Sequence, residues 1–312
     1  MQLNSQSDFR PGDGIGLGID AGGTQTRWAL AARDGAILAE GTVAGLSALQ
    51  MSKPAGRASV HATFKTLAHD VLAHARPSRV RAGLTGFGGD GEQLTNWLAQ
   101  LLGIQADAIA MCNDIDIAYR ACFMPGVGYL VYAGTGSIGA FIDADGTFHR
   151  AGGRGVVLDD GGGGFWIARE ALRHIWRRED EAPGSWEQSP MARAVFEHVG
   201  GSDWAHSRQF IYGQERGEVG KLALAVAASA AQDPAAAAIL LEAGRELGRL
   251  ARALIERFGP RPVALAGRAA DLHPSIADSM RTSLPPGTII TQGAMRAHHA
   301  AARLAAFDGA PH

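Results

Sequence analysis

Two carboxylates stand where a chain could hold a metal ion or accept a proton, and the first is Asp20. It ends an apolar, strand-like run and is followed by the small residues Ala21-Gly22-Gly23-Thr24, here called the DAGGT turn. Such a turn exposes backbone N–H groups and a hydroxyl, which phosphate oxygens accept. A carboxylate beside it can bind Mg²⁺ through the ion's water molecules. The segment predicts a phosphate-binding turn with a cation site, and a plain hairpin turn is the alternative.

The second carboxylate is Asp114, which follows the short apolar run 108–112 and Asn113 and precedes helix-compatible residues. It could act as a general base on a substrate hydroxyl. It could equally be a helix N-cap, a position that aspartate favours. Asp116, two residues on, would face elsewhere on a helix, so we expect no such role for it.

A second small-residue turn, Gly134-Thr135-Gly136-Ser137 (the GTGS turn), repeats the pattern of the first. In both places a strand, a small-residue turn, a second strand and an Asp-Gly pair (residues 34–35 and 145–146) follow one another. That order predicts an internally duplicated architecture of two α/β lobes. Two such turns facing across a cleft would clamp a polyphosphate.

Two other places in the second half are candidates for ligand contact. Asp159 and Asp160 precede four consecutive glycines, and carboxylates at such a turn suit hydrogen bonds to sugar hydroxyls; an acidic surface turn is the alternative. Gly267 ends the apolar run 262–266, where a small residue would let a flat ring lie on the backbone. A simple strand-to-helix turn explains Gly267 equally well.

Two common nucleotide motifs are excluded. Gly16, Gly18 and Ala21 fit the G-x-G-x-x-A pattern, but a β-like run follows where a dinucleotide fold needs a helix. The Gly-Lys pair at 220–221 is followed by leucine and lacks the leading glycine of a Walker A loop.

Hydrophobic periodicity and turn residues predict the elements that must position these groups. We expect strands over 15–20, 26–32, 36–43, 80–84, 108–112 and 262–266, and helices over 57–76, 92–102, 164–178, 191–199, 220–231, 234–258 and 292–307. The expected organisation is a disordered lead at 1–14, an N-terminal α/β lobe at 15–115 and a C-terminal α/β lobe at 116–296. A closing helix within 297–312 would complete the N-terminal lobe.

The bulk composition narrows the class of protein. The 312 residues carry a formal net charge of −2, which argues against nucleic acid as the main partner. Cys112 and Cys122, the two cysteines, lie ten apart among apolar residues, so we expect reduced, buried thiols. No apolar signal segment or 18-residue apolar span occurs. We therefore expect a cytoplasmic protein with no membrane partner.

Taken in order, the motifs "GIDAGGTQT", "NDI", "AGTGS", "GGRG", "DDGGGGFWIA", "ALAG" and "QGAMRAH" resemble the N-acetylglucosamine kinase branch of the sugar kinase/Hsp70/actin superfamily. That branch also contains the BadF/BcrA-type ATPases. The resemblance runs from about residue 15 to residue 305. It implies a duplicated actin-like (ribonuclease H-like) two-lobe ATPase fold with a central cleft.

The resemblance also implies an activity, the ATP-dependent phosphorylation of an amino sugar such as N-acetyl-D-glucosamine by a homodimer. The two turns would hold the ATP phosphates, through Gly22, Gly23, Thr24 and residues 134–137, with Mg²⁺ at Asp20. Asp114 matches the catalytic base and Gly267 falls where the family holds adenosine. Sugar contacts would come from Ser47, Asn113, Asp114, Gly153 and Asp160.

The chain departs from the family pattern around the expected sugar. Where the family usually reads G-G-W-G, this chain has Arg154 in place of the aromatic residue, and where it reads G-D-E-G-S, glycines replace the glutamate and serine. Two other functions stay open. One is an ATPase activator with an iron–sulfur cluster, although no paired cysteines follow the GTGS turn; the other is a non-catalytic sugar or nucleotide sensor.

Overall fold

The computed structural model describes residues 14–89, 91–293 and 295–307, which form two compact units. The first comprises residues up to Ala121 together with those from Arg296 onward, and the second comprises Cys122–Met295. Apart from Gly14, the expected disordered lead lies outside the described residues, as do residues 308–312 of the expected closing helix. The expected boundary after residue 115 falls within a helix, α3 (Asp114–Cys122).

The first unit is built on a five-stranded sheet. Its elements are β1 (Gly16–Ala21), β2 (Gln25–Ala31), β3 (Ile37–Ala44), α1 (Pro54–Leu72), β4 (Arg79–Leu84), α2 (Glu92–Leu102), β5 (Ile109–Asn113), α3 and α11 (Ala297–Phe307). The strand order is β3-β2-β1-β4-β5. β1 to β3 form an antiparallel meander, and β1, β4 and β5 run parallel.

Large apolar residues and glycines alternate along β1, and this pattern suits the middle strand of the sheet, which is covered on both faces. Leu17 and Ile19 are fully buried and join the core that α1 and α2 complete on one face of the sheet. On the other face Gly16 and Gly18 lie against the backbone of α11, where any Cβ would collide with the carbonyls of Ala302 and His298. The G-x-G pattern therefore lets a helix pack directly on the strand, which agrees with its exclusion as a dinucleotide loop.

The second unit repeats the topology of the first. Its elements are β6 (Tyr129–Ala133), β7 (Ser137–Ile142), β8 (Phe148–Gly152), α4 (Gly164–Glu181), α5 (Pro190–Val199), α6 (Trp204–Gly213), α7 (Arg216–Gly220), α8 (Leu222–Ser229), α9 (Pro234–Phe258), β9 (Val263–Ala266), α10 (Pro274–Thr282) and β10 (Ile290–Gln292). The strand order is β10-β9-β6-β7-β8. β6 corresponds to β1, since it pairs antiparallel with the strand that follows it and parallel with β9. The predicted duplication is confirmed.

Most predicted elements are confirmed within a few residues, and so is the hairpin turn at Asp34-Gly35, where Gly35 has φ 86° and the Asp34 carboxylate accepts from the Ala36 N–H. The helix predicted from residue 292 was wrong at its start, because residues 290–292 form β10 beside β9 and the helix begins at Ala297. The helix predicted over 220–231 corresponds to α8, and the short helix α7 ends where that prediction begins.

Helices α6, α7 and α10 were not predicted. Ser207 is the one buried residue of α6, so no apolar periodicity marks that helix. α10 begins at Pro274, and its N-cap is the side chain of His273, which accepts a hydrogen bond from Ser275 N. Histidine is not among the residues that commonly signal a helix start.

No single helix in the described part of the chain is long and apolar enough to cross a membrane. One pair, residues 216–229 with 234–258, reaches the required length and composition only when both helices are counted together across a bend of 117°.

Candidate active site

The carboxyl ends of three parallel strands, β1, β4 and β5, meet at one edge of the first sheet, and polar side chains gather there. Ala21, Leu84 and Asn113 are register partners across the three strands. Thr85, just past β4, donates its backbone N–H to the carbonyl of Ala21 at 2.9 Å. Asp20 and Asp114 stand at the ends of the flanking strands, so the topology assembles both predicted carboxylates at the place where open parallel sheets bind ligands.

Asp114 is held by two hydrogen bonds. Thr85 Oγ1 donates to its Oδ2 at 2.5 Å, and the N–H of Ile115 donates to its Oδ1 at 3.0 Å. Asn113 Oδ1 also accepts from the Ile115 N–H, at 3.0 Å, which is the bond of an N-cap residue. Asn113 therefore caps α3, and capping does not explain Asp114. Asp116 forms an ion pair with Arg120, four residues further along the helix, at 2.8 Å.

The two carboxylates share an unfavourable electrostatic environment. Burial raises the pKa of Asp114, against the opposing effect of the hydrogen bond from Thr85. Burial, together with the charge of Asp114, raises the pKa of Asp20 to about 6, while Arg27 acts in the opposite direction. Two half-buried acids that repel each other destabilise a fold, and such pairs are characteristic of functional sites.

The DAGGT turn leaves open space above its backbone. Gly22 N donates to the carbonyl of Gln25 at 3.1 Å, and the carbonyl of Gly22 accepts from Leu46 N at 3.0 Å. Gly23 is exposed, its φ lies outside the left-handed region, and a Cβ added to it would meet nothing within 4 Å. Neither backbone conformation nor packing within the described residues requires glycine here, so the space is available to a ligand. Thr24 is exposed beside it.

Thr26 and Ser47 border this edge with different hydroxyl environments. Thr26 is fully buried in β2, and its Oγ1 has no hydrogen-bond partner within the described ranges. Ser47 Oγ donates to the carbonyl of Thr85 at 2.9 Å and accepts from Leu49 N at 3.3 Å. Ser47 thus stands next to the residue that holds Asp114, but its hydroxyl proton is already donated.

In the second unit the GTGS turn is tied to the start of α4. Gly164 N and Phe165 N, at the start of that helix, donate to the carbonyls of Gly134 and Thr135, each at 2.9 Å. Ser137 is buried in β7 and donates its hydroxyl to the carbonyl of Gly161 at 2.7 Å. The exposed side chain of Thr135 is therefore the one hydroxyl of this turn that does not already donate its proton within the unit.

Asp160 faces the GTGS turn. Its Oδ1 accepts from Gly155 N at 3.0 Å, and its Oδ2 lies so close to Gly136 that a Cβ on that glycine would collide with it. Burial raises the pKa of Asp160. It has φ 55°, and no other described residue except glycines has a positive φ. This backbone conformation turns the carboxylate toward the predicted phosphate site.

The glycine run 161–164 lies in a closely packed part of the second unit. The backbone of residues 161–163 threads between α9 and the GTGS turn. A Cβ at Gly161 would stand 2.7 Å from Glu246 Oε2, one at Gly162 would stand 2.6 Å from the carbonyl of Ala243, and one at Gly163 would stand 2.6 Å from the backbone of Gly136. All four glycines are buried. Glycine is required at 162 and 163 because backbone atoms approach there, whereas at Gly161 the neighbouring atom is the end of a side chain.

Gly267 lies beside the GTGS turn, because β6 and β9 are parallel neighbours and end at the same edge. It has φ 100°, and a Cβ on it would collide with the backbone of Ala133. Glycine is therefore required here by the fold alone. Gly153 packs on Ile138, since a Cβ on that glycine would stand 2.7 Å from Ile138 Cδ1.

Sequence reasoning missed Thr85, the residue that joins Asp114 to β1 and to Ser47. The glycines at 86, 88 and 89 predict a turn in this segment, whereas Thr85 belongs to no motif identified from the sequence. A usable signal was present, since a lone hydroxyl follows the apolar strand 80–84 at the end where ligand-binding residues collect in parallel sheets.

Comparisons with known proteins agree with this architecture. Residues 17–283 match the sequence profile of the BadF/BadG/BcrA/BcrD ATPase family. An N-acetyl-D-glucosamine kinase of Dictyostelium discoideum is 25% identical over 178 residues, which is 54% of this chain and 56% of that protein. The chain thus matches only about half the length of this curated relative.

Two solved structures are similar along nearly the whole chain. A candidate N-acetylglucosamine kinase from Chromobacterium violaceum is 26% identical, with a TM-score of 0.65 over 94% of this chain and 98% of that one. A second, from Porphyromonas gingivalis, has a TM-score of 0.71 at 18% identity, over 94% and 99% of the two chains. At that lower identity the likeness concerns the fold alone.

Proposed function

Because this chain belongs to the BadF/BadG/BcrA/BcrD ATPase family, we propose that it is an ATP-dependent sugar kinase whose acceptor is N-acetyl-D-glucosamine. The observation that carries the proposal is the pair of half-buried carboxylates with raised pKa, Asp20 and Asp114, at the carboxyl edge of the first sheet. Phosphoryl transfer needs a group to orient a hydroxyl and a group to hold a metal ion, and this edge offers one carboxylate for each.

Asp114 is the proposed base. The sugar hydroxyl oxygen forms a bond to the γ-phosphorus, the bond from that phosphorus to the β,γ-bridging oxygen breaks, and the hydroxyl proton goes to Asp114. ADP leaves with the electron pair of the broken bond. Thr85 and Ile115 N fix the carboxylate in one orientation. Its raised pKa makes it a better proton acceptor than an exposed aspartate.

The first unit offers groups that fit a nucleotide with its metal ion. Open space above Gly23 and the exposed Thr24 suit phosphate oxygens. Asp20, half-buried with the exposed Arg27 as its cationic neighbour, fits a divalent cation. Bound Mg²⁺ would neutralise phosphate charge during transfer. Thr135 and the backbone of the GTGS turn are the proposed phosphate ligands of the second unit, with Gly267 at the adenosine.

The choice of sugar rests on the relatives. Both the curated relative and the Chromobacterium structure carry the name of an N-acetylglucosamine kinase. Close backbone packing requires Gly162 and Gly163, so these two glycines give no reason to expect a lost activity. The exposed Arg154 replaces the aromatic residue of the family pattern, and this is the departure that bears on which sugar is bound.

The iron–sulfur activator has no support from the thiols. Burial raises the pKa of Cys112 to about 12 and that of Cys122 to about 11. Cluster ligation needs thiolates, and these environments oppose their formation.

A coupled ADP-release assay tests the proposal. Purified protein with MgATP is offered N-acetylglucosamine, glucosamine, N-acetylmuramic acid, N-acetylmannosamine or glucose, and a sample without sugar gives the background. We expect the highest kcat/KM with N-acetylglucosamine. Another preferred sugar would overturn the substrate and keep the kinase. ADP release that no sugar stimulates, together with calorimetric binding of sugar or nucleotide, would make the protein a sensor.

A further inference from the structure

Three metal-ligating side chains that have no role in the proposed kinase site converge in the first unit. Glu40 stands on β3, and His298 and His299 are consecutive residues in the N-terminal turn of α11. His299 Nε2 lies 2.5 Å from Glu40 Oε2, and His298 Nε2 lies 3.4 Å from the same oxygen. One ligand atom from each residue lies within 4.8 Å of the other two.

This cluster is built into the fold. The two imidazoles are only 9% and 10% exposed, while the Glu40 side chain is 49% exposed. The rings are in edge contact, with centroids 4.5 Å apart. Their backbone is closely packed as well, because Gly18 lies directly against the carbonyl of His298. The ligand atoms are therefore held together before any ion arrives.

The donor set matches zinc. Two imidazole nitrogens with one carboxylate oxygen are borderline and hard ligands in the number that zinc takes from a protein when water fills the fourth position. The half-exposed Glu40 gives an ion a route from solvent. We infer that Glu40, His298 and His299 bind a zinc ion that ties the C-terminal helix α11 to β3.

Two arginines border this site and tune it. Arg296 Nη1 is 3.7 Å from Glu40 Oε1, but its side chain is 64% exposed and can move into water. The charge of Arg27 acts to lower the pKa of both His298 and Asp20. Since Arg296 competes with a cation for Glu40, removing its charge should tighten zinc binding.

Calorimetry on the untagged full chain, freed of metal by chelation and titrated with ZnCl₂ at pH 7.5, tests the site. We expect one ion per chain, with affinity reduced by about tenfold or more in Glu40→Gln and His299→Gln. Arg296→Gln should bind at least as tightly as the unmodified chain. Two controls should keep the site: Asp20→Asn, which alters the proposed magnesium ligand, and His206→Gln, which alters an exposed histidine paired with Asp203.

Far-ultraviolet circular dichroism checks that each variant is folded, and Co²⁺ absorption provides a second measurement on the unmodified chain. Intense visible bands indicate a four-coordinate ion with nitrogen and oxygen ligands. Absence of stoichiometric zinc binding by the unmodified chain would overturn the inference. So would unchanged affinity in folded His299→Gln, or an equal loss in His206→Gln.

Discussion

Thr85 Oγ1 donates a 2.5 Å hydrogen bond to Asp114 Oδ2, and the carbonyl of the same threonine accepts from Ser47 Oγ at 2.9 Å. Its backbone N–H reaches β1 through the carbonyl of Ala21. One residue thus connects the proposed base with β1 and with the segment expected to contact the sugar. If Asp114 is the base, its orientation and its proton affinity depend on Thr85.

Replacing Thr85 with valine removes the hydroxyl and keeps the shape. The hydrogen bond favours the ionised carboxylate, so its loss raises the pKa of Asp114 further and the base form appears only at higher pH. We expect the acid limb of the kcat/KM profile to move up by about one pH unit, the shift that losing about 1.4 kcal/mol produces. The KM for ATP should hardly change. Thr85→Ser keeps the donor, and if it showed the same displacement, the hydroxyl would not be responsible.

Asp20 is expected to lower stability at neutral pH. Its pKa in the folded chain, about 6, is above the ordinary 3.8, so the folded state binds the proton more tightly. The stability this provides is complete below pH 3.8 and is lost as the pH rises through 6. Asp20→Asn should therefore raise the free energy of unfolding at pH 7.5 by at most about 3 kcal/mol, with the gain vanishing toward pH 4. Kinase activity should fall.

Thermal unfolding at pH 7.5 and pH 4.5, without Mg²⁺, measures this effect. Equal midpoints for Asp20→Asn and the unmodified chain at pH 7.5 would show that Asp20 carries no electrostatic cost. If Asp20→Asn stabilised the chain without losing kinase activity, Asp20 would not be a metal ligand, and its unfavourable position would have no functional explanation.

A substitution at Gly23 tests ligand binding without disturbing the fold. Apart from its chain neighbours, a methyl group there meets no atom of the described residues within 4 Å, so Gly23→Ala should change the free energy of unfolding by no more than about 0.5 kcal/mol. If phosphates occupy this space, the KM for ATP should rise by about tenfold, a loss of about 1.4 kcal/mol.

Gly45→Ala is the matched control, because its Cβ would collide with the carbonyl of Gly23. We expect it to lower the thermal midpoint, whereas Gly23→Ala does not. Normal nucleotide kinetics in a stable Gly23→Ala variant would contradict a phosphate role for the DAGGT turn.

Gly18 tests the packing of the C-terminal helix. Gly18→Ala would drive a methyl group into the carbonyl of His298, and overpacking of this kind costs about 1–3 kcal/mol. We expect a clearly lower thermal midpoint with nucleotide affinity unchanged in the protein that remains folded. A stable variant with impaired nucleotide binding would instead give the G-x-G pattern a ligand role.

The sequence was sufficient for the fold where local signals were strong. Small-residue turns and Asp-Gly pairs indicated both antiparallel meanders. Because the same pattern occurs twice, it predicted two similar lobes, and the two sheets have matching strand orders. It was also sufficient to single out Asp20 and Asp114, because acidic residues at strand ends are informative without any structure. Elements such as α6, with one buried residue, had no periodic pattern to read.

What the sequence could not supply were the contacts between distant segments. Ser137 and Gly161 are 24 residues apart, and only the folded chain shows that the serine hydroxyl is donated to that carbonyl. Likewise, the glycine run 161–164 suggested an altered sugar site until its closeness to α9 was visible. Side chains that serve two segments at once, as Thr85 does, depend on the same non-local geometry.

The central claim is that Asp114 accepts the proton of the sugar hydroxyl, and the turnover of Asp114→Asn tests it most directly. With N-acetylglucosamine and MgATP in the ADP-release assay, we expect kcat to fall by about 10²-fold or more while the KM for ATP stays nearly constant. Asp116→Asn, which alters the neighbouring carboxylate that pairs with Arg120, should keep most of the activity. Near-normal turnover in a folded Asp114→Asn variant would contradict the account.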